Sequence, residues 1–101
     1  MVAYSCAKVG VDARTRHIAA SRYRGNAIQP GMVTTDNAWA MAESLPLDQI
    51  LSRTPAPRLG KPEDSGALAL FLLSDAVAFM NGQILSYDGG IHAVLNDVGA
   101  A

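Results

Sequence analysis

Residues 62–90 read PEDSGALALFLLSDAVAFMNGQILSYDGG, and the way this stretch divides decides the fold class. Pro62 suits the first position of a helix, and Glu63 and Asp64 in the first turn complement the helix dipole. Leu68, Phe71, Leu72 and Leu73 carry that helix to Ser74-Asp75. A short turn with Val77, Phe79 and Met80 follows. Asn81-Gly82 is a turn pair, and Gln83 to Tyr87 reads as a strand closed by the structural turn Asp88-Gly89-Gly90. Upstream, Asn26-Ala27-Ile28-Gln29 is a brief strand candidate stopped by Pro30-Gly31. A strand, a crossover helix and a second strand make a parallel βαβ unit with a right-handed connection. The fold class is therefore α/β. Two parallel strands are few for such a sheet, and the chain looks like one end of a larger one.

Working outward, Val2 to about Ser21 holds no proline, is rich in alanine and carries Val2, Cys6, Val9, Val11 and Ile18. It reads as a largely buried helix. Arg22 to Gly25 is a short polar connection. Thr35, Asp36 and Asn37 are candidate caps for a short helix through Trp39, Met41 and Ala42. Pro46 interrupts it, Leu47 to Arg53 reads as another turn or two of helix, and Thr54 to Pro57 is extended because of its prolines. Residues 91–101 form a poorly patterned tail.

Composition narrows the function classes. The 101 residues are 50% hydrophobic and 17% charged, which suits one globular domain rather than disorder. The net charge of −1 comes with no basic stripe, which argues against nucleic acid as a partner. No apolar run reaches the ~18 residues of a membrane span, so a soluble, cytoplasmic protein is expected. The single cysteine, Cys6, excludes an internal disulfide and reads as a small buried packing residue rather than a nucleophile. His17 and His92 stand far apart without a cluster of ligands, and no metal site is expected.

The chemistry-bearing pair is Tyr4 and Lys8, four residues apart in "AYSCAK" (3–8). On a helix this spacing puts both on one face. A phenol of ordinary pKa ~10 is a poor acid or base at neutral pH. A neighbouring ammonium favours the phenolate and suits it to exchange a proton with a carbonyl or an alcohol. The spacing alone also fits a plain surface contact.

The pair is followed by "NAIQPGMVTT" (26–35), "PRLGKPED" (57–64), "FLLSD" (71–75) and "NGQILSYDGG" (81–90). This ordered set resembles the C-terminal half of the short-chain dehydrogenase/reductase family, from about Ala3 to Gly90. The resemblance implies a Rossmann-type doubly wound parallel sheet, of which residues 1–101 would be the C-terminal part of one NAD(P)-binding domain. It implies hydride transfer between NAD(H) or NADP(H) and a carbonyl or alcohol carbon of a small molecule. Tyr4 would be the catalytic acid/base, and Lys8 would hold the nicotinamide ribose and favour the Tyr4 phenolate. Pro30 and Gly31 would end a strand against the nicotinamide, though they also fit an ordinary turn. Val33 would offer backbone groups to the carboxamide. Thr35 would place a hydroxyl near the carboxamide or diphosphate, and equally fits a helix cap. Trp39, Met41 and Leu45 would form an apolar lid over the substrate or simply pack their loop. A homodimer or tetramer is implied, through the helices at 2–21 and 62–73 and the strand at 83–87.

Two departures bear on activity. None of the nine glycines makes the G-x-G cofactor turn, and the family's Asn-Ala-Gly segment and the serine expected about a dozen residues before the tyrosine are missing. The chain is thus expected to start in mid-domain, and the isolated chain to be inactive and to bind cofactor weakly or not at all. The link between "HIAAS" and "GNAIQPG" is also shorter than the family's. The alternative function is a non-catalytic remnant that associates with intact family members.

Overall fold

A computed structural model describes residues 2–37, 44 and 46–96. In chain order they form α1 (Val2–Ala19), β1 (Ala27–Pro30), α2 (Leu47–Arg53), α3 (Pro62–Leu73), a 3₁₀ turn (Asp75–Val77), β2 (Ile84–Tyr87) and α4 (Ile91–Asn96). β1 and β2 pair as a two-stranded parallel sheet, so the fold is α/β as the sequence indicates. One register runs along the pair: the Ala27 N–H donates to the Gln83 carbonyl (2.8 Å) and the Gly31 N–H to the Tyr87 carbonyl (3.1 Å). β1 extends through Pro30, one residue beyond the expected stop. A proline is tolerated at that strand end because its nitrogen has no ladder bond to make.

The chain divides into two compact units. One contains the residues up to Gln29 with Leu68–Leu85, the other Pro30–Ala67 with the residues from Ser86 onward. In the first unit, Leu72, Val77 and Thr15 are the buried side chains among the described residues. Arg24 donates from its guanidinium to the carbonyls of Leu72 (3.4 Å) and Val77 (3.1 Å), which closes the C-terminal end of α3. Two asparagines fasten the strand starts. Asn81 donates to the Ala19 carbonyl and accepts the Gly25 N–H, both at 2.8 Å. Asn26 donates to the Met80 carbonyl (3.2 Å) and accepts the Gln83 N–H (3.0 Å).

The expectation that α1 is largely buried is corrected. Residues 2–11 are all exposed, with Val2 at 80% and Val9 at 68%, and Cys6 is exposed rather than packed. The reason is dimensional. An 18-residue helix is about 27 Å long. Each four-residue strand covers only about 13 Å. Contact is made near the C-terminal end of α1, where Thr15 is buried and Ile18 lies against Gly25.

In the second unit, α3 starts at Pro62 as the sequence indicates. Asp64 sits in its first turn and reaches back to accept the Lys61 N–H (2.8 Å), the reciprocal half of a capping box. The 91–101 tail also differs from expectation, because Ile91–Asn96 is helical. Asp88 starts that helix: one carboxylate oxygen accepts the Gly90 N–H (2.9 Å) and the other the His92 N–H (3.2 Å). The His92 ring also bonds the Asp88 carboxylate. These contacts hold the Asp88 carboxyl below its ordinary range, the His92 side chain contributing most.

Candidate active site

Tyr4 and Lys8 lie on one face of α1, in the first unit. The Lys8 ammonium stands over the Tyr4 ring, 5.4 Å from its centroid, within cation–π range. Tyr4 is 59% exposed, so its phenol is open to a substrate. A tyrosine hydroxyl with a cation one helical turn away is an arrangement that can pass a proton to and from a bound oxygen.

Pro30, Gly31, Val33 and Thr35 belong to the second unit. Gly31 follows β1 directly, and a Cβ there would lie 2.8 Å from both Cα and Cβ of Asp88. Close approach of the two strand ends therefore itself requires glycine at 31. Val33 forms an isolated parallel bridge with Gly60. The Gly60 N–H donates to the Met32 carbonyl and the Thr34 N–H to the Gly60 carbonyl, both at 2.9 Å. In such a bridge the bonds on the Gly60 side come from the residues flanking Val33, so its own N–H and C=O face the opposite edge. The Val33 carbonyl accepts the Thr35 N–H (2.9 Å). Trp39, Met41 and Leu45 lie outside the described residues.

Sequence reasoning missed the scaffold around this segment. Thr34 adds a hydroxyl bond to the Gly60 carbonyl (3.1 Å). Arg58 grips Asp64 through two guanidinium nitrogens, at 2.6 and 2.9 Å. Asp64 is thereby lowered to about 2, chiefly by the Arg58 hydrogen bond and then by the Lys61 N–H. Ser65 and Tyr87 bond through their hydroxyls. A cavity of about 340 Å³ opens in this unit, with Met32, Val33, Thr54, Gly60, Tyr87 and Asp88 among its walls. The spacing of Lys61 to Asp64 was a readable signal for the cap, whereas nothing local in the sequence links Val33 to Gly60. Among the described residues no cluster of three His, Cys, Asp or Glu side chains could hold a metal ion. No helix among them is long and apolar enough to cross a membrane.

Residues 1–92 match the family profile described as Enoyl-(Acyl carrier protein) reductase. A 3-oxoacyl-[acyl-carrier-protein] reductase, FabG, of Thermotoga maritima is 37% identical over 95 residues, covering 87% of this chain and 37% of that protein. Solved structures agree. The NADP-bound structure of an Agrobacterium tumefaciens protein assigned as a 2-deoxy-D-gluconate 3-dehydrogenase superposes with a TM-score of 0.79 at 40% identity, over 89% of this chain and 39% of that one. A short-chain type dehydrogenase/reductase from Mycobacterium ulcerans gives 0.78 at 40% identity, over 90% and 35%. The chain thus spans well under half the length of these relatives, and its two-strand sheet corresponds to part of a Rossmann-type fold. With the profile covering nearly all of it and relatives of this similarity, the chain belongs to the short-chain dehydrogenase/reductase family of oxidoreductases.

Proposed function

We propose that the protein carrying this chain is an NAD(P)-dependent oxidoreductase that interconverts a carbonyl and an alcohol on a small molecule, with Tyr4 as the acid/base. The observation that carries this reading is the Tyr4–Lys8 pair on one face of α1, in a chain of this family. When bound, the nicotinamide supplies or receives the hydride. Tyr4 donates its hydroxyl proton to the substrate oxygen during reduction and takes it back during oxidation. Lys8 offers an ammonium to the ribose hydroxyls.

The residues present fit one end of the cofactor. The Val33 N–H, turned away from Gly60, is a donor suited to a carboxamide oxygen, and Thr35 stands two residues on with a further hydroxyl. The diphosphate end has no counterpart, because no G-x-G turn occurs in the 101 residues. The isolated chain is therefore expected to bind NADH or NADPH weakly. Exposed apolar side chains, among them Val9 on α1 and Leu70 and Leu73 on α3, support assembly as a homodimer or tetramer through α1, α3 and β2.

Fluorescence titration with NADH and NADPH tests the reading. In the protein carrying this chain, Lys8→Met should weaken binding by about 10-fold or more, the loss of a charge-assisted contact. Unchanged affinity would remove Lys8 from the cofactor site. The same apolar exposure, Phe79 included at 105%, favours a second reading: a non-catalytic chain that associates with intact family members. That reading requires no cofactor binding and co-purification with a longer dehydrogenase.

A further inference from the structure

The cavity of about 340 Å³ in the second unit lies where both strands end. Gly31, Met32 and Val33 follow β1, while Tyr87 ends β2 and Asp88 and Gly89 follow it, and all six residues are among its walls. In open α/β sheets, ligands bind outside the carboxyl ends of the parallel strands. We propose that this cavity is the site for an uncharged hydrocarbon arm of the substrate, which makes the substrate a carbonyl or alcohol with an aliphatic chain rather than a polyol or a sugar acid. This role rests on the oxidoreductase activity proposed above.

The chemistry of the walls selects the ligand. Among the described residues, every polar side chain on them already has a partner. The Thr54 hydroxyl donates to the Ile50 carbonyl (2.7 Å), and the Tyr87 hydroxyl bonds that of Ser65. Arg58 spends its guanidinium on Asp64 and on the Leu59 carbonyl (3.0 Å), and Asp64 also accepts the Lys61 N–H. One Asp88 oxygen accepts the Gly90 N–H, and the other takes the His92 N–H and ring. Three wall N–H groups are likewise used: Gly31 to the Tyr87 carbonyl, Gly60 to that of Met32 and Ala56 to that of Gly89. A polar or charged ligand would have to break one of these bonds to be held, and would otherwise leave its own groups unpaired. What remains for contact is the apolar surface of Met32, Ile50, Leu59 and Ile91. The volume equals that of about eleven liquid-water molecules at ~30 Å³ each. A methylene is of similar size, so an arm of up to about ten carbons fits.

The test measures reduction of straight-chain methyl ketones of increasing length, and of polyhydroxy ketones, by NADH or NADPH in the protein carrying this chain. For the methyl ketones, kcat/KM should rise about 4-fold per added methylene until the cavity is full, with the gain in KM rather than kcat because the arm is bound equally in ground and transition states. The polyhydroxy ketones should be the poorer substrates. Ile91→Trp narrows the cavity and should end the rise at a shorter chain; Ile50→Ala widens it and should extend the rise to a longer one. Leu59→Trp and Leu59→Ala give the same pair of tests where either variant does not fold. Loss of structure cannot imitate these opposite shifts. A flat series, a preference for the polyhydroxy ketones, or variants that shift alike or not at all overturns the role of the cavity and leaves the oxidoreductase reading standing. No reduction of either class with either cofactor overturns that reading, and the substrate role of the cavity with it.

Discussion

Gly31→Ala is the substitution whose effect the structure determines most directly. The added Cβ would lie 2.8 Å from Asp88 Cα, 2.8 Å from Asp88 Cβ and 3.3 Å from the Asp88 oxygen. Carbon atoms prefer separations of about 3.5–4.0 Å, so the ends of β1 and β2 must separate by close to an ångström. The obstacle is backbone, which has no rotamer to change. Overpacking of this kind costs about 1–3 kcal/mol. In urea, at a slope of about 1–3 kcal/mol per molar, the unfolding midpoint should fall by roughly 1 M. Gly10 and Gly66 supply an internal control, because a Cβ at either meets nothing within 4 Å and both lie inside helices. Gly10→Ala and Gly66→Ala should be stabilising by up to about 1 kcal/mol, the helix preference for alanine. A Gly31→Ala midpoint equal to or above the parent's would refute the close approach of the strand ends. So would equal shifts at all three positions.

Other perturbations test separate contacts. The Asp64 carboxyl is lowered from 3.8 to about 2, so its contribution to stability is fully present above pH 4 and is lost as pH falls from about 4 to about 2; Asp64→Asn should flatten the acid unfolding profile in that window, and added salt should weaken the effect in the parent because the pair is solvent-exposed. Arg24→Ala removes its bonds to the carbonyls of Leu72 at the end of α3 and Val77 in the 3₁₀ turn, costing about 1–3 kcal/mol, and amide exchange should accelerate around Leu72–Val77 before it does in α2. Asn81→Asp keeps the acceptor for the Gly25 N–H but replaces the donor to the Ala19 carbonyl with a second oxygen. It should destabilise by about 1–3 kcal/mol in thermal unfolding, and a neutral result would deny Asn81 its role at the end of α1.

What could be read from the sequence was local chemistry. Pro62 with Glu63 and Asp64 marks the start of α3 because position preferences at a helix N-terminus act within one turn. Asn81-Gly82 marks the turn before β2 for a similar reason, Gly82 having a φ of +73°. The Tyr4–Lys8 juxtaposition follows from helical spacing alone. The exposure of α1 did not follow, because burial depends on how much surface the rest of the chain can lay against a helix. Nor did α4, whose start comes from Asp88 side-chain bonds to Gly90 and His92 rather than from an apolar stripe. The Val33–Gly60 bridge joins residues distant in the chain, and no periodicity records such a pairing. The Tyr4–Lys8 pair was therefore legible, and the scaffold that holds the Val33 backbone was not.

The central claim is that Tyr4 moves the proton. Its most direct test is the cofactor-coupled reduction of a carbonyl substrate by the protein carrying this chain, followed at 340 nm, comparing the parent with Tyr4→Phe. The account predicts a loss of about 100- to 10,000-fold in kcat/KM, with NAD(P)H affinity kept within about 3-fold because the phenyl ring beneath Lys8 remains. A Tyr4→Phe protein that turns over within a few-fold of the parent would contradict it.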